Sequence, residues 1–277
     1  MNSKLSSLLL AAALLLSASP AIAGTGGSAG QIRSAVSSGS VDAIVAEIER
    51  SEALICSECI DVMTGLLDHA RYEVREAAGW WFAKRPSLKK LMVQQMVTDL
   101  AGTDAVSVRN AADFLGAVRA IEQLGALSAA YDRGVGVEAR FAMVRAAAVI
   151  GSRAGSGLVT KALADADPSV RALAVASLRE LRGQTAAGAA AIALLGDPDA
   201  SVRAEAASTV GGFRDAAGRA RLEALVVSDP DASVRRNAAW ALGRLGQAAS
   251  AAALEQASTD VSPLVRGVAK AARKALR

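Results

Sequence analysis

The seven letters Asp-Pro-Asp-Ala-Ser-Val-Arg occur at Asp197–Arg203 and again at Asp229–Arg235. Looser copies stand at Asp165–Arg171 and Asp260–Arg266. The arginines Arg109, Arg140, Arg171, Arg203, Arg235 and Arg266 follow one another at intervals of 31, 31, 32, 32 and 31 residues. A period of that length belongs to a chain of supersecondary units, none of which buries its apolar face alone. It predicts an all-α fold: an α-solenoid of stacked antiparallel helix pairs, about seven in number, forming a superhelix. Such a fold offers extended surface in place of one enclosed pocket, which shifts the expected function from catalysis toward binding.

In the sixth unit Asp229-Pro230-Asp231 makes a turn, because proline fixes its own φ and aspartate caps helices. Either Asp231 or Ser233 can serve as N-cap. Val234, Ala238, Ala241 and Leu242 then fall on one helical face, and Gly243 and Gly246 allow the exit. Leu222, Leu225 and Val226 give the shorter helix before the turn. Composition agrees: 52% of residues are hydrophobic but only 3% aromatic, the excess being alanine and leucine, both strong helix formers. The spacing places the pairs near 54–85, 88–120, 122–152, 155–183, 186–215, 217–246 and 248–277.

The pattern Asp-Pro-Asp-x-x-Val-Arg-x-x-Ala-Ala-x-x-Leu-Gly resembles the HEAT repeat, in the short form first described in phycobilisome-bilin lyases. The earlier units drift from it. Asp68–Arg75 keeps Val-Arg without proline, and the Arg140 unit is placed by spacing alone. The resemblance implies an armadillo-type helical stack. It leaves function open, since the family holds scaffolds, chromophore-lyase subunits and a metal-dependent hydroxylase. The hydroxylase holds iron with His-Glu pairs; here His69 is the sole histidine and Ala70 follows it, so that activity does not carry over.

Residues 1–23 read as an export signal: Lys4, the apolar run Leu8–Leu16, and Ala21-Ile22-Ala23 before the expected cleavage. The run is too short to span a bilayer, which needs about 20 residues. A periplasmic or secreted product follows as the expectation. Residues 24–30 read as a flexible linker, 31–51 as a helical cap, and 52–277 as the repeat array. The net charge of +4 is unevenly placed, since residues 1–73 carry −4.

Cys56 and Cys59 are the only cysteines. In an oxidising compartment a lone pair tends to be bridged. Placed at a helix N-terminus, the pair also admits a thiol-disulfide redox role, the main alternative to a non-enzymatic scaffold. A lyase-like or chaperone-like subunit is a third reading, implied by the family alone. No metal, cofactor or nucleic-acid partner is expected, and no catalytic residues emerge: a triad needs a histidine base, and Gly24-Thr25-Gly26-Gly27 lacks a phosphate-loop lysine.

The repeat arginines Arg75, Arg109, Arg140, Arg171, Arg203, Arg235 and Arg266 are read as structural, each pairing with an acidic turn of its own or the adjoining unit. Binding-face candidates are Trp80, Trp81, Lys84, Arg85 and Trp240, because adjacent helical positions diverge by about 100° and cannot share one core. Exposed Trp with Arg is hot-spot composition for a protein partner. Arg266, Lys270, Arg273, Lys274 and Arg277 form a basic stripe on the last helix, read first as a C-terminal cap and second as a weak contact for an anionic surface.

Overall fold

The computed structural model describes residues 27–54, 56–151, 155–180 and 185–276. The expected signal at 1–23, the first linker residues 24–26, and Arg277 lie outside that set. Every regular element among the described residues is a helix, and no described helix is long and apolar enough to cross a membrane.

The described residues divide into two compact units, with the boundary between Ile150 and Gly151. In the first, an opening hairpin of α1 (Ala29–Ser38) and α2 (Val41–Arg50) leads into three pairs: α3 (Ser57–Leu66) with α4 (Tyr72–Ala83), α5 (Pro86–Leu100) with α6 (Ala105–Ala117), and α7 (Leu124–Asp132) with α8 (Val137–Ile150). In the second, four pairs follow: α9 (Ser156–Ala162) with α10 (Pro168–Ser177), α11 (Thr185–Ala193) with α12 (Ala200–Phe213), α13 (Arg219–Ser228) with α14 (Ala232–Leu245), and α15 (Ala251–Ala257) with α16 (Pro263–Lys274). Seven pairs thus follow the opening hairpin, the all-α solenoid architecture that the arginine period predicts. Helix α1 takes in Ala29 and Gly30, which the sequence reading put in the linker, because Ser28 caps it by accepting the Gln31 N–H.

The second helix of each pair, helix B, begins at an acidic turn in the regular copies. Asp167, Asp199 and Asp231 are N-caps, their carboxylates accepting the N–H groups of Ser169, Ser201 and Ser233 at 2.9, 2.8 and 2.7 Å. These bonds satisfy donors that a helix start leaves without an intrahelical partner. Asp231, not Ser233, takes the cap position in the sixth unit.

Layers in the second unit are thin because small side chains fill them. Val234, Ala238, Ala241 and Leu242 are fully buried, as are Val202, Ala206, Ala207 and Val210 one repeat earlier. Glycine sets the spacing between B helices. A Cβ added at Gly211 would lie 2.7 Å from Ala241 Cα, and one at Gly243 would lie 2.9 Å from Ala272 Cα. Gly243 therefore is not part of an exit turn, as its sequence position suggests. It is a helix-packing residue, and Gly246, at φ 69°, ends the helix alone. In the first unit the core is thicker and aromatic: Trp81 meets Phe82 edge-on at 5.2 Å, and Phe82 meets Phe114 at 6.0 Å.

Candidate functional site

The repeat arginines of the second unit build a ladder. Arg203 donates Nη1–H to the carbonyls of Asp197 and Pro198 in its own turn, at 3.0 Å each. Its Nε and Nη2 fork onto the next repeat's Asp229 at 2.7 and 3.0 Å. Arg171 does the same with Asp197, at 2.9 and 2.8 Å, and Arg235 with Asp260, at 2.7 and 3.0 Å. Each guanidinium thus ties its own turn to the following one with charge-assisted, two-pronged bonds.

The electrostatics follow from that contact. Burial pushes the Asp197 and Asp229 carboxyls up, but the arginine forks and the N–H groups two residues on outweigh it and hold both below the usual range. The Arg235 fork does so for Asp260, against slight burial. Reciprocally, the carboxylates raise Arg171, Arg203 and Arg235.

The first unit departs from this arrangement. Arg75 skips to Asp113, 38 residues on, donating Nε–H and Nη2–H at 2.9 and 2.6 Å, while its Nη1 holds the carbonyls of His69 and Ala70. Asp113 also accepts from Arg145 at 2.5 Å, and its side chain has no exposed surface. The Arg145 guanidinium lies 3.4 Å from the Tyr72 ring centroid. Burial and the bonded Glu76 push the Tyr72 phenol up, well above its ordinary value. Arg109 spends its fork on Asn110 and Glu138 instead of a next-repeat aspartate. Arg140 is half-buried, and its backbone N–H closes on Gly136. The Asp113 cluster escaped the sequence reading because neither Arg75 nor Arg109 has an Asp at the ladder spacing.

The tryptophan candidates separate. Trp81 is fully buried, with Nε1–H donated to Ser51 O at 3.0 Å. Arg85 is buried too, its guanidinium 3.4 Å from the Trp81 ring centroid and bonded to the carbonyls of Trp81, Glu52 and Leu54. Burial pulls the Arg85 guanidinium down to about 10, with nearby Glu52 opposing. Neither residue reaches a partner, which corrects the expectation that Arg85 lies with the surface cations. Both instead staple the turn ahead of Cys56. Trp80 is half-buried under Lys84, whose Nζ lies 5.0 Å from the ring centroid and 3.0 Å from Glu52. Trp240 stays 41% exposed on α14, with Arg244 over the ring at 5.8 Å. Trp80 and Trp240 hold the same place in their repeats, five residues after Arg75 and Arg235.

Cys56 and Cys59 form a disulfide. Cys56 is the N-cap of α3, accepting the Cys59 N–H on Sγ at 3.1 Å, and is partly exposed, whereas Cys59 is fully buried. His69 sits in the turn before α4, its Nδ1 accepting the Arg71 N–H.

The basic stripe of α16 has a distinct register. Counting from the repeat arginine, inner B helices place Ala207 and Ala239 four residues on, Val210 and Leu242 seven on, and Gly211 and Gly243 eight on, against the core or the following helix. The last helix puts Lys270, Arg273 and Lys274 there, all exposed. Arg273 pairs with Glu255.

Comparison with known families settles the repeat type: a model described as HEAT repeats matches residues 188–274, the stretch in which the arginine ladder is most regular. Residues 188–274 are thus similar to HEAT repeats. Among solved structures, the Escherichia coli protein YibA aligns over 88% of this chain and 91% of its own, at 12% identity and a TM-score of 0.54, a likeness of fold. The phycocyanin lyase CpcE–CpcF complex from Nostoc (18% identity, 94% and 98% covered, TM-score 0.41) and human deoxyhypusine hydroxylase (18%, 85% and 90%, 0.38) also align. Both fall too low to carry an argument about this chain. No curated protein matches it.

Proposed function

We propose that this chain is an exported, non-enzymatic scaffold that binds a protein partner along the B-helix surface of its C-terminal unit, with Trp240 as the anchor. The observation that carries this reading is the exposure of a large aromatic side chain on a B helix between two exposed arginines, Arg236 and Arg244, one turn to either side. Neighbouring helices place Ser208 and Ala271 at the same repeat position, so the indole stands among small residues. An aromatic ring flanked by guanidinium groups is the composition of interface hot spots. The leader-like residues 1–23 and the disulfide support export, since bridged cysteines persist in oxidising compartments.

The test is crosslinking of the intact protein in an envelope fraction, followed by mass spectrometry, with Trp240→Ala in parallel. A hot-spot tryptophan contributes about 2 kcal/mol or more, so recovery of a specific partner falls by about thirtyfold at fixed concentration. Equal recovery by both proteins rejects this surface.

A second reading is favoured by one observation: the partly exposed Cys56 sulfur sits at a helix N-terminus with an N–H aimed at it, the setting that stabilises a departing thiolate. Thiol trapping against a dithiol buffer separates the two. A bridge that resists reduction and shuttles no electrons leaves the scaffold reading in place.

A further inference from the structure

Among the described residues Arg266 is the last arginine of the ladder. Arg266 is clamped as its predecessors are: its Nη1 donates to the carbonyls of Asp260 and Val261 at 2.8 and 3.1 Å. In Arg171, Arg203 and Arg235 the remaining donors, Nε and Nη2, grip the aspartate of the following repeat. Among the described residues nothing occupies them in Arg266. A guanidinium whose orientation is already fixed loses little side-chain freedom when a carboxylate arrives, so the fork is pre-organised.

Two residues of the same turn break the local pattern. Position 264 is Leu, 67% exposed, where the other three copies have the serines Ser169, Ser201 and Ser233, which bond the capping aspartates. Position 261 is Val, 89% exposed, where the others have Ala166, Pro198 and Pro230. The last helix has also given up its side-chain cap, since Ser262 makes no such bond. An exposed leucine in place of a serine that bonds the capping aspartate brings no gain inside the fold, the mark of a residue that serves something outside it. Lys270 and Lys274, exposed one and two turns beyond Arg266, add positive charge on the same helix.

We propose that this turn is a receptor for an acidic segment of a partner protein: an aspartate that opens a helix-start turn enters the Arg266 fork, and apolar neighbours cover Val261 and Leu264. Three filled copies within the same unit define the occupant. In each, the captured aspartate also accepts the N–H two residues further on, Asp199, Asp231 and Ser262. The occupant is therefore a carboxylate already folded into a turn. The apolar flank distinguishes a protein segment from an inorganic anion. The proposal is independent of the Trp240 surface.

The full chain, labelled with nitrogen-15, is titrated with an acetylated peptide carrying the sequence of residues 226–238, whose Asp229 supplies the carboxylate. The Arg266 Nε–H resonance shifts saturably while those of Arg171, Arg203 and Arg235, already bonded, stay put. Replacing the peptide's aspartate with asparagine, or Arg266→Lys in the protein, weakens binding about tenfold or more, because lysine keeps the charge and loses the fork. Leu264→Ser, which restores the serine of the other three copies and leaves the fold intact, weakens it several-fold. An unmoved Arg266 signal, or equal binding of the asparagine peptide, overturns the proposal. So does a response confined to phosphatidylglycerol vesicles, which assigns the stripe to a membrane surface.

Discussion

Arg203 and Asp229 join successive repeats through two parallel hydrogen bonds, from Nε to Oδ2 at 2.7 Å and from Nη2 to Oδ1 at 3.0 Å, with only 13% and 3% of their side chains exposed. Asp229→Ala leaves a mostly buried guanidinium without its acceptor and removes the bond to Asp231 N–H. It lowers stability by about 3 kcal/mol, read from the urea midpoint. Asp260→Ala, on a carboxylate with 10% of its side chain exposed, costs less.

Acid dissolves the ladder. The carboxyls of Asp197, Asp229 and Asp260 are held below their ordinary range. A depressed folded-state value means the unfolded chain takes up protons first. The stabilisation is complete above the unfolded carboxyl value, about 3.9, and drains away as pH falls through the folded values. The thermal midpoint of the second unit therefore holds steady from neutral pH to about pH 5 and drops below pH 4. The Asp229→Asn variant shows a shallower acid limb.

Gly211→Ala reverses the usual sign. In an open helix the change stabilises by about 0.5–1 kcal/mol. Here the new methyl would meet Ala241 Cα and the Trp240 ring, each at 2.7 Å, and crowding of this kind costs about 1–3 kcal/mol. Gly125, with nothing within 4 Å, is the control in which the ordinary gain appears. Paired denaturation curves check both.

Arg85→Ala destabilises the first unit although the residue sits in a run of surface-like cations. Three carbonyls, of Trp81, Glu52 and Leu54, lose their donor and the Trp81 ring loses its stacked guanidinium. The cost is about 3 kcal/mol, against less than about 0.5 for Lys90→Ala on the exposed side. Quenching of the Trp81 fluorescence by solvent reports the same opening.

Breaking the Cys56–Cys59 bridge costs little by comparison. The closed loop is short, so the entropy removed from the unfolded chain is worth about 2 kcal/mol. Cys56→Ser also supplies a stronger cap than the sulfur now bonded to Cys59 N–H. The double change Cys56→Ser with Cys59→Ala moves the melting midpoint of the first unit by only a few degrees, measured by differential scanning calorimetry.

The arginine spacing made the second unit legible because its copies share one chemistry: the acid that Arg171, Arg203 and Arg235 each seek lies 25 or 26 residues ahead, and both partners are visible in the letters. The first unit was legible only as helices. Its buried acid, Asp113, answers Arg75 from 38 residues away and Arg145 from the opposite direction, a pairing that no regular interval encodes. Trp81 and Arg85 misled for a related reason. Seen in sequence, Trp80-Trp81-Phe82-Ala83-Lys84-Arg85 offers two ambiguous rings and two ordinary surface cations, and only the turn at Ser51–Leu54 decides which ring and which cation go inside. Gly243 reads as an exit because glycine most often means a turn; its use as a spacer depends on Ala272, one repeat away.

The ammonium and guanidinium groups that α16 carries where its predecessors have Ala, Val, Leu and Gly give this array a direction of growth. A duplicated unit inserted ahead of α15 finds greasy neighbours on both sides and slots in. A unit packed on α16 as α16 packs on α14 meets Lys270, Arg273 and Lys274 where its apolar face needs small or apolar side chains. Internal copying asks for no such change, whereas packing a further pair against that face of α16 asks for three cations to be exchanged first.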